Sequence, residues 1–198
     1  MPETAMPRRV DWSEGAWTHA PAATEPRGDS LAVVAEPGSD AWRRTAYGFV
    51  HDSEHALVRP LEVGRAVEVV FTADFSEQFD QAGVFVRVDA ERWVKAGLEF
   101  ADGVLGAGAV VTDGWSDWSV GAVPEWLGRR VRVRVSRGAD ALTVRAGLDA
   151  EPLRLLRVAP FDAAHAGSAG PFVCAPTRAG LTVVFDEWTE TDADASLH

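Results

Sequence analysis

Between Arg130 and Val135 the chain alternates charge and valine without a break: Arg130-Val131-Arg132-Val133-Arg134-Val135. A period of two puts one set of side chains on each face of an extended strand, and β-branched residues favour that backbone. The same period recurs at Ala82, Val84, Val86 and Val88, and again at Val94, Ala96, Leu98 and Phe100. No window of about a dozen residues carries a convincing 3.6-residue period. Turn signals punctuate the pattern: Glu36-Pro37-Gly38, Ala101-Asp102-Gly103, Thr112-Asp113-Gly114, Arg137-Gly138 and Ala169-Gly170-Pro171. About a dozen strands are expected, too many for one flat sheet, so two antiparallel sheets packed face to face are predicted.

The 198 residues are 46% apolar, which suits one domain with a proper core. That domain is placed at 10–190, between a loose arm at 1–9 and an acidic flexible tail at 191–198. No apolar run is long enough to span a membrane. The first residues, MPETAMPRRVDW, lack the apolar stretch of a secretory signal. Cys174 is the only cysteine, so no internal disulfide is available and a reducing, cytoplasmic location is expected. With 19 basic and 30 acidic residues the net charge is -11, which argues against nucleic acid or an anionic membrane as partner. Eighteen of the basic residues are arginine; Lys95 is the one lysine and Tyr47 the one tyrosine.

Side-chain parity fixes much of the central meander. Residues 82–88 and 94–100 both carry their apolar set at even positions, so opposed residues must sum to an even number. The connection around Asp89 to Arg92 is therefore of odd length or bulged. Asp102-Gly103 reads as a two-residue turn, pairing Ala101 with Val104, Leu98 with Ala107 and Gly97 with Gly108. The outer face then carries Gln81, Arg87, Lys95 and Glu99 among Gly83, Gly97, Gly106 and Gly108. Glycine inside strands marks close approach of other groups or leaves a groove. Lys95 and Glu99 lie about 13 Å apart along one strand, so they bracket the groove rather than pair. Under one allowed register Arg87 faces Lys95. Trp93, Trp115 and Trp118 flank the meander, and Trp188 is expected as a core filler.

Four segments resemble the regulation-of-enolase-like family: Asp40-Ala41-Trp42-Arg43-Arg44-Thr45-Ala46-Tyr47-Gly48-Phe49, Asp80-Gln81-Ala82-Gly83, Trp93-Val94-Lys95-Ala96-Gly97-Leu98-Glu99-Phe100 and Ser116-Asp117-Trp118-Ser119. The resemblance spans roughly 8–190. It implies an all-β, concanavalin A-like jelly-roll sandwich of two antiparallel sheets, and it brings no catalytic chemistry.

Catalytic sets are hard to assemble from the sequence. A jelly-roll glucanase needs two carboxylates on one face, and Glu99 has no acidic neighbour two residues away. Asp186 and Glu190 share parity but sit in the acidic end. His51 and His55 fall in a turn, His19 and His165 in loops, and Asp113 with Asp117 is thin for calcium. Cys174 reads as a buried thiol with no base beside it. No catalytic residue, metal ligand or cofactor is assigned. The row Arg130, Arg132, Arg134 with Arg145 reads as a solvated face near Asp149.

The expected function is a non-catalytic, lectin-like domain binding a carbohydrate or small polar metabolite on its concave sheet. Its site is Trp42, Arg44, Tyr47, Gln81, Arg87, Lys95, Glu99 and Trp118, with Arg87 and Lys95 making the groove locally basic. A protein-interaction module regulating a metabolic enzyme is the alternative, and a glycoside hydrolase stands behind both. If the site is built for binding, replacing Lys95 and Glu99 together by alanine should abolish binding and leave stability nearly unchanged.

Overall fold

The computed structural model describes residues 7–197. In chain order the strands are β1 (Arg8–Arg9), β2 (Ala16–Trp17), β3 (Ala23–Arg27), β4 (Ser30–Val34), β5 (Ala41–Arg43), β6 (Val50–Asp52), β7 (His55–Pro60), β8 (Arg65–Thr72) and β9 (Asp80–Arg87). They continue as β10 (Arg92–Ala101), β11 (Val104–Asp113), β12 (Trp115–Ala122), β13 (Arg130–Arg137), β14 (Ala141–Leu148), β15 (Arg154–Pro160), β16 (Ser168–Cys174) and β17 (Thr182–Asp192). Several are only two or three residues long, which is why they exceed the dozen expected. None of the helical turns among the described residues is long and apolar enough to cross a membrane.

Two large antiparallel sheets form a jelly-roll sandwich. One runs β15-β14-β13-β8-β17-β4-β3, with β1 beside β17; the other runs β12-β11-β10-β9-β16-β7-β2. Alternation supplies the interior. Val67, Val69, Phe71, Val131, Val133 and Val135 from the first sheet meet Val84, Val86, Ala96, Leu98, Leu105 and Ala107 from the second. Trp188 is fully buried here, as expected. A short hairpin, β5–β6, lies outside both sheets.

The meander has the parity read from the sequence. Leu98 faces Ala82 and Ala107, and Gly97 faces Gly83 and Gly108. Arg87 pairs with Trp93, leaving an odd connection of five residues, and Phe85, not Arg87, faces Lys95. Gly83, Gly97 and Gly108 stand in one row across β9, β10 and β11. A Cβ on Gly97 would lie 2.2 Å from the Ala82 carbonyl oxygen, and one on Gly108 would lie 2.0 Å from that of Ser119. Backbones approach too closely there for any side chain.

Strand pairing and ion pairs reach into both ends of the described residues. Residues 1–6 and 198 lie outside the described residues, but Arg8 and Arg9 pair with Glu190 and Thr189 of β17. β17 itself runs on to Asp192. Beyond it the Asp194 carboxylate takes Arg134 Nε at 2.9 Å and Arg145 Nε at 3.1 Å, while its N–H donates to Ser136 Oγ at 2.6 Å. The acidic end is thus fastened over the arginine row. Arg130 and Arg132 are matched in turn by Asp149, Asp186, Glu187 and Glu68. His51 and His55 also depart from the turn expected for them, lying in β6 and β7.

Gly97→Ala should lower stability by about 2–3 kcal/mol, because the added methyl meets backbone that cannot move aside. Gly121→Ala, at an exposed position with nothing within 4 Å of the new atom, should stay within about 0.5 kcal/mol of the parent. Urea midpoints of the two variants check this, and equal effects would contradict the close approach described.

Candidate functional site

The outer face of the seven-stranded sheet carries three successive rows of side chains. One contains Phe85, Lys95, Val110 and Trp118; the next runs Phe172, Gly83, Gly97, Gly108 and Val120; the third includes Gln81 and Glu99. The three glycines at the centre of the middle row leave a shallow hollow between Lys95 and Glu99, closed at its ends by Phe172 and Val120. Above it lies a cavity of about 200 Å3, lined by Asp40, Trp42, Tyr47, Phe49, Phe79, Gln81, Lys95, Glu99, Val110 and Trp118.

The walls come from β5–β6 and its loop. Arg44, Ala46 and Gly48 in that loop all have positive φ, at 64°, 62° and 75°. For arginine and alanine this is an uncommon backbone, of the kind found where geometry serves a site. Trp42 Nε1 donates to the Thr45 carbonyl at 3.0 Å and steadies the turn. The Trp42 ring stands edge-on to Tyr47 at 5.7 Å and to Trp118 at 6.5 Å, while Phe49 stacks on Tyr47 at 5.2 Å. Tyr47 is 61% exposed and Trp118 41%, so both have open surface at the cavity. The hairpin is joined to β12 where Arg43 N–H donates to Ser116 Oγ at 2.9 Å.

The polar floor is a closed network. Lys95 Nζ donates to Asp40 Oδ1 at 2.7 Å and to Gln81 Oε1 at 2.8 Å. Gln81 Nε2 donates to the same Asp40 oxygen at 3.3 Å, and the Ala41 N–H donates to it at 2.8 Å. Asp40 is delivered by a loop with its own fastenings: Gly38 N–H to Ala175 O, Ala175 N–H to Ser39 Oγ, and Glu36 N–H to His55 Nε2. The last bond requires neutral His55, and burial lowers its pKa accordingly. Burial is the largest influence on Lys95 and would lower its pKa, but Asp40, with smaller help from Cys174 and Glu99, turns the net shift upward. Glu99 differs. Among the described residues it has no hydrogen bond or ion pair; burial raises its pKa, Lys95 opposes this in part, and Asp40 adds to the rise.

Six of the expected site residues therefore surround one cavity: Trp42, Tyr47, Gln81, Lys95, Glu99 and Trp118. Two do not. Arg87 shares their face but lies at the far end of β9, bonded to Asp52 at 2.9 Å and Glu54 at 3.1 Å. Arg44 turns outward over the Trp115 ring, 5.8 Å from its centre. Lys95 is only 5% exposed and is neutralised by Asp40. The expectation of a locally basic groove is corrected on both counts. Sequence reasoning missed Asp40, Phe49, Phe79 and Val110 as lining residues. Asp40 had a signal: a lysine on an otherwise apolar strand with no acid nearby on that strand needs a counterion from elsewhere. Cys174 is buried on this outer face, opposite Gln81, with its thiol pKa raised well above the ordinary value by burial.

Residues 17–193 match the family described as "Protein of unknown function (DUF1349)". The chain belongs to the DUF1349 family. It is 34% identical over 186 residues to Regulation of enolase protein 1 of Saccharomyces cerevisiae, covering 93% of this chain and 92% of that protein. A crystal structure of a functionally unknown S. cerevisiae protein superposes with a TM-score of 0.87 at 32% identity, covering 94% of this chain and all of that one (100%). The carbohydrate-binding module CBM66 from Bacillus subtilis shares the fold alone, with a TM-score of 0.57 and 11% identity over 90% of this chain and 96% of the module.

In this DUF1349 chain Lys95 and Glu99 should separate sharply in stability. Lys95→Ala removes the buried ammonium from the partly buried Asp40 and the buried Gln81 and should cost about 3 kcal/mol, so the double replacement should not be the nearly neutral change expected from sequence. Glu99→Gln keeps the shape and removes a charge that burial disfavours. Because the folded pKa of Glu99 is raised, its ionised form destabilises the fold at high pH, and the penalty fades as pH falls and the carboxyl protonates. Glu99→Gln should therefore match or exceed the parent at pH 8, with any advantage gone near pH 4. Thermal melts of both variants at the two pH values check this.

Proposed function

We propose that this protein is a non-catalytic, lectin-like domain that binds a carbohydrate or a small hydroxyl-rich metabolite in the cavity over β10 and β11. The carrying observation is one small cavity with aromatic walls and an unpartnered carboxyl on its floor. Sugars offer apolar C–H faces that pack on indole and phenol rings, and hydroxyls that donate to carboxyl oxygens. The volume of about 200 Å3 suits a single ring rather than a long chain. The shared fold of the B. subtilis carbohydrate-binding module is consistent with this use but does not carry it.

Glycoside hydrolysis is less well supported. It requires two carboxyl groups acting on one bond. Asp40 has one oxygen taken by three donors, one of them the Lys95 ammonium, which leaves Glu99 as the single unengaged carboxyl of the cavity. Docking onto a metabolic enzyme is the second reading. It is favoured by exposed Tyr47, Phe49 and Val50 on the hairpin, and by the name of the yeast relative.

Isothermal titration against a panel of monosaccharides, disaccharides and phosphorylated metabolites tests the proposal. At least one single-ring compound should bind, and Trp118→Ala should weaken it tenfold or more without moving the melting temperature. Absence of heat or thermal shift across the whole panel would sink the ligand-binding reading in favour of protein docking.

A further inference from the structure

We infer that the cavity prefers a positively charged ligand: a small organic ammonium, such as an amino sugar or an amino alcohol. The inference rests on the binding reading above and names the ligand's charge.

The charges around the cavity do not balance. Lys95 and Asp40 cancel at 2.7 Å, and Lys95 spends a second proton on Gln81. The nearby arginines are engaged elsewhere: Arg87 with Asp52 and Glu54, Arg43 with Glu91, and Arg44 over Trp115. Glu99 remains, half-buried, with no hydrogen bond or ion pair among the described residues. Removing a carboxylate from water without a partner is unfavourable, and an entering cation supplies that partner. An anionic ligand would instead meet a carboxyl that Lys95, already bonded to Asp40, offsets only in part.

The walls favour a cation as well. Trp42 stands at 86° to Trp118 and at 63° to Tyr47, so the rings form adjoining sides of a box rather than a flat stack. Phe49 and Phe79 add further aromatic surface. Aromatic faces carry negative charge density and attract ammonium groups, most strongly when water is excluded. A box of rings closed at its base by one carboxyl matches a single cation on an apolar frame. Neutral sugars meet the same rings but leave the charge of Glu99 unanswered.

Four probes separate the possibilities: glucosamine, glucose, glucose 6-phosphate and choline, titrated at pH 7.5 and low salt into the parent and Glu99→Gln. Glucosamine should bind at least tenfold more tightly than glucose, and glucose 6-phosphate should be the weakest of the three sugars. Glu99→Gln should erase the preference for glucosamine while leaving glucose binding in place. Trp118→Ala should weaken every ligand. Binding of choline without any sugar would support the cation preference and overturn the carbohydrate reading. Equal affinity for glucose and glucosamine would overturn the cation preference and leave the carbohydrate reading standing. If none of the four binds, the inference fails; the wider panel then decides the reading beneath it.

Discussion

Gly83, Gly97 and Gly108 set the local shape of the sheet between Lys95 and Glu99, the two charged residues that the sheet gives to the cavity floor. The glycines stand side by side across three strands, each with a neighbouring carbonyl oxygen where a Cβ would have to sit. The three missing side chains bring the backbones together and hollow the sheet between Phe172 and Val120. On one flank Lys95 faces Phe85 and Val110, and on the other Glu99 faces Gln81 and Gly106. The same parity that sends these residues outward sends Val84, Ala96 and Leu98 into the sandwich. Core and cavity are two sides of one register, and a slip by one residue would ruin both.

The outer face is not simply a solvated surface. Trp42, Phe85, Trp93, Val110, Phe172 and Cys174 form a second apolar cluster there, beneath the β5–β6 hairpin. Burying polar groups beside it is tolerated because they satisfy one another. Lys95, Gln81 and Asp40 form a compact network that fixes where the loop before β5 sits. Glu99 lies on the same strand and face but outside that network. Two charged residues four positions apart thus have opposite characters, one holding the structure and the other left to meet what enters.

The register of the meander could be read from the sequence because parity and the Asp102-Gly103 turn overdetermine it. The family resemblance supplied the sandwich topology, which alternation alone could not choose. Six wall and floor residues were legible for the same reason: they lie on the faces and segments those two arguments picked out. Arg87 was misplaced because parity reports a face and not a position along it; the partners Asp52 and Glu54 come from the region of β6 and β7, whose pairing nothing local dictates. Asp40 and Phe79 were missed because loops bring them over the sheet from outside the strand pattern. The acidic end looked loose because its partners, Arg134 and Arg145, lie about fifty or more residues away in the chain.

The β5–β6 hairpin contributes Trp42, Tyr47 and Phe49 to the cavity, yet its strands pair only with each other. The large sheets contribute the floor and the main hydrophobic core. The outer cavity walls and the main core are therefore carried largely by different stretches of chain. Changes at the exposed tip around Tyr47 and Phe49 can reshape the mouth of the cavity while the sandwich keeps its register. Such a division makes the sandwich evolvable: one stable frame can carry a differently shaped cavity by editing a loop of a few residues.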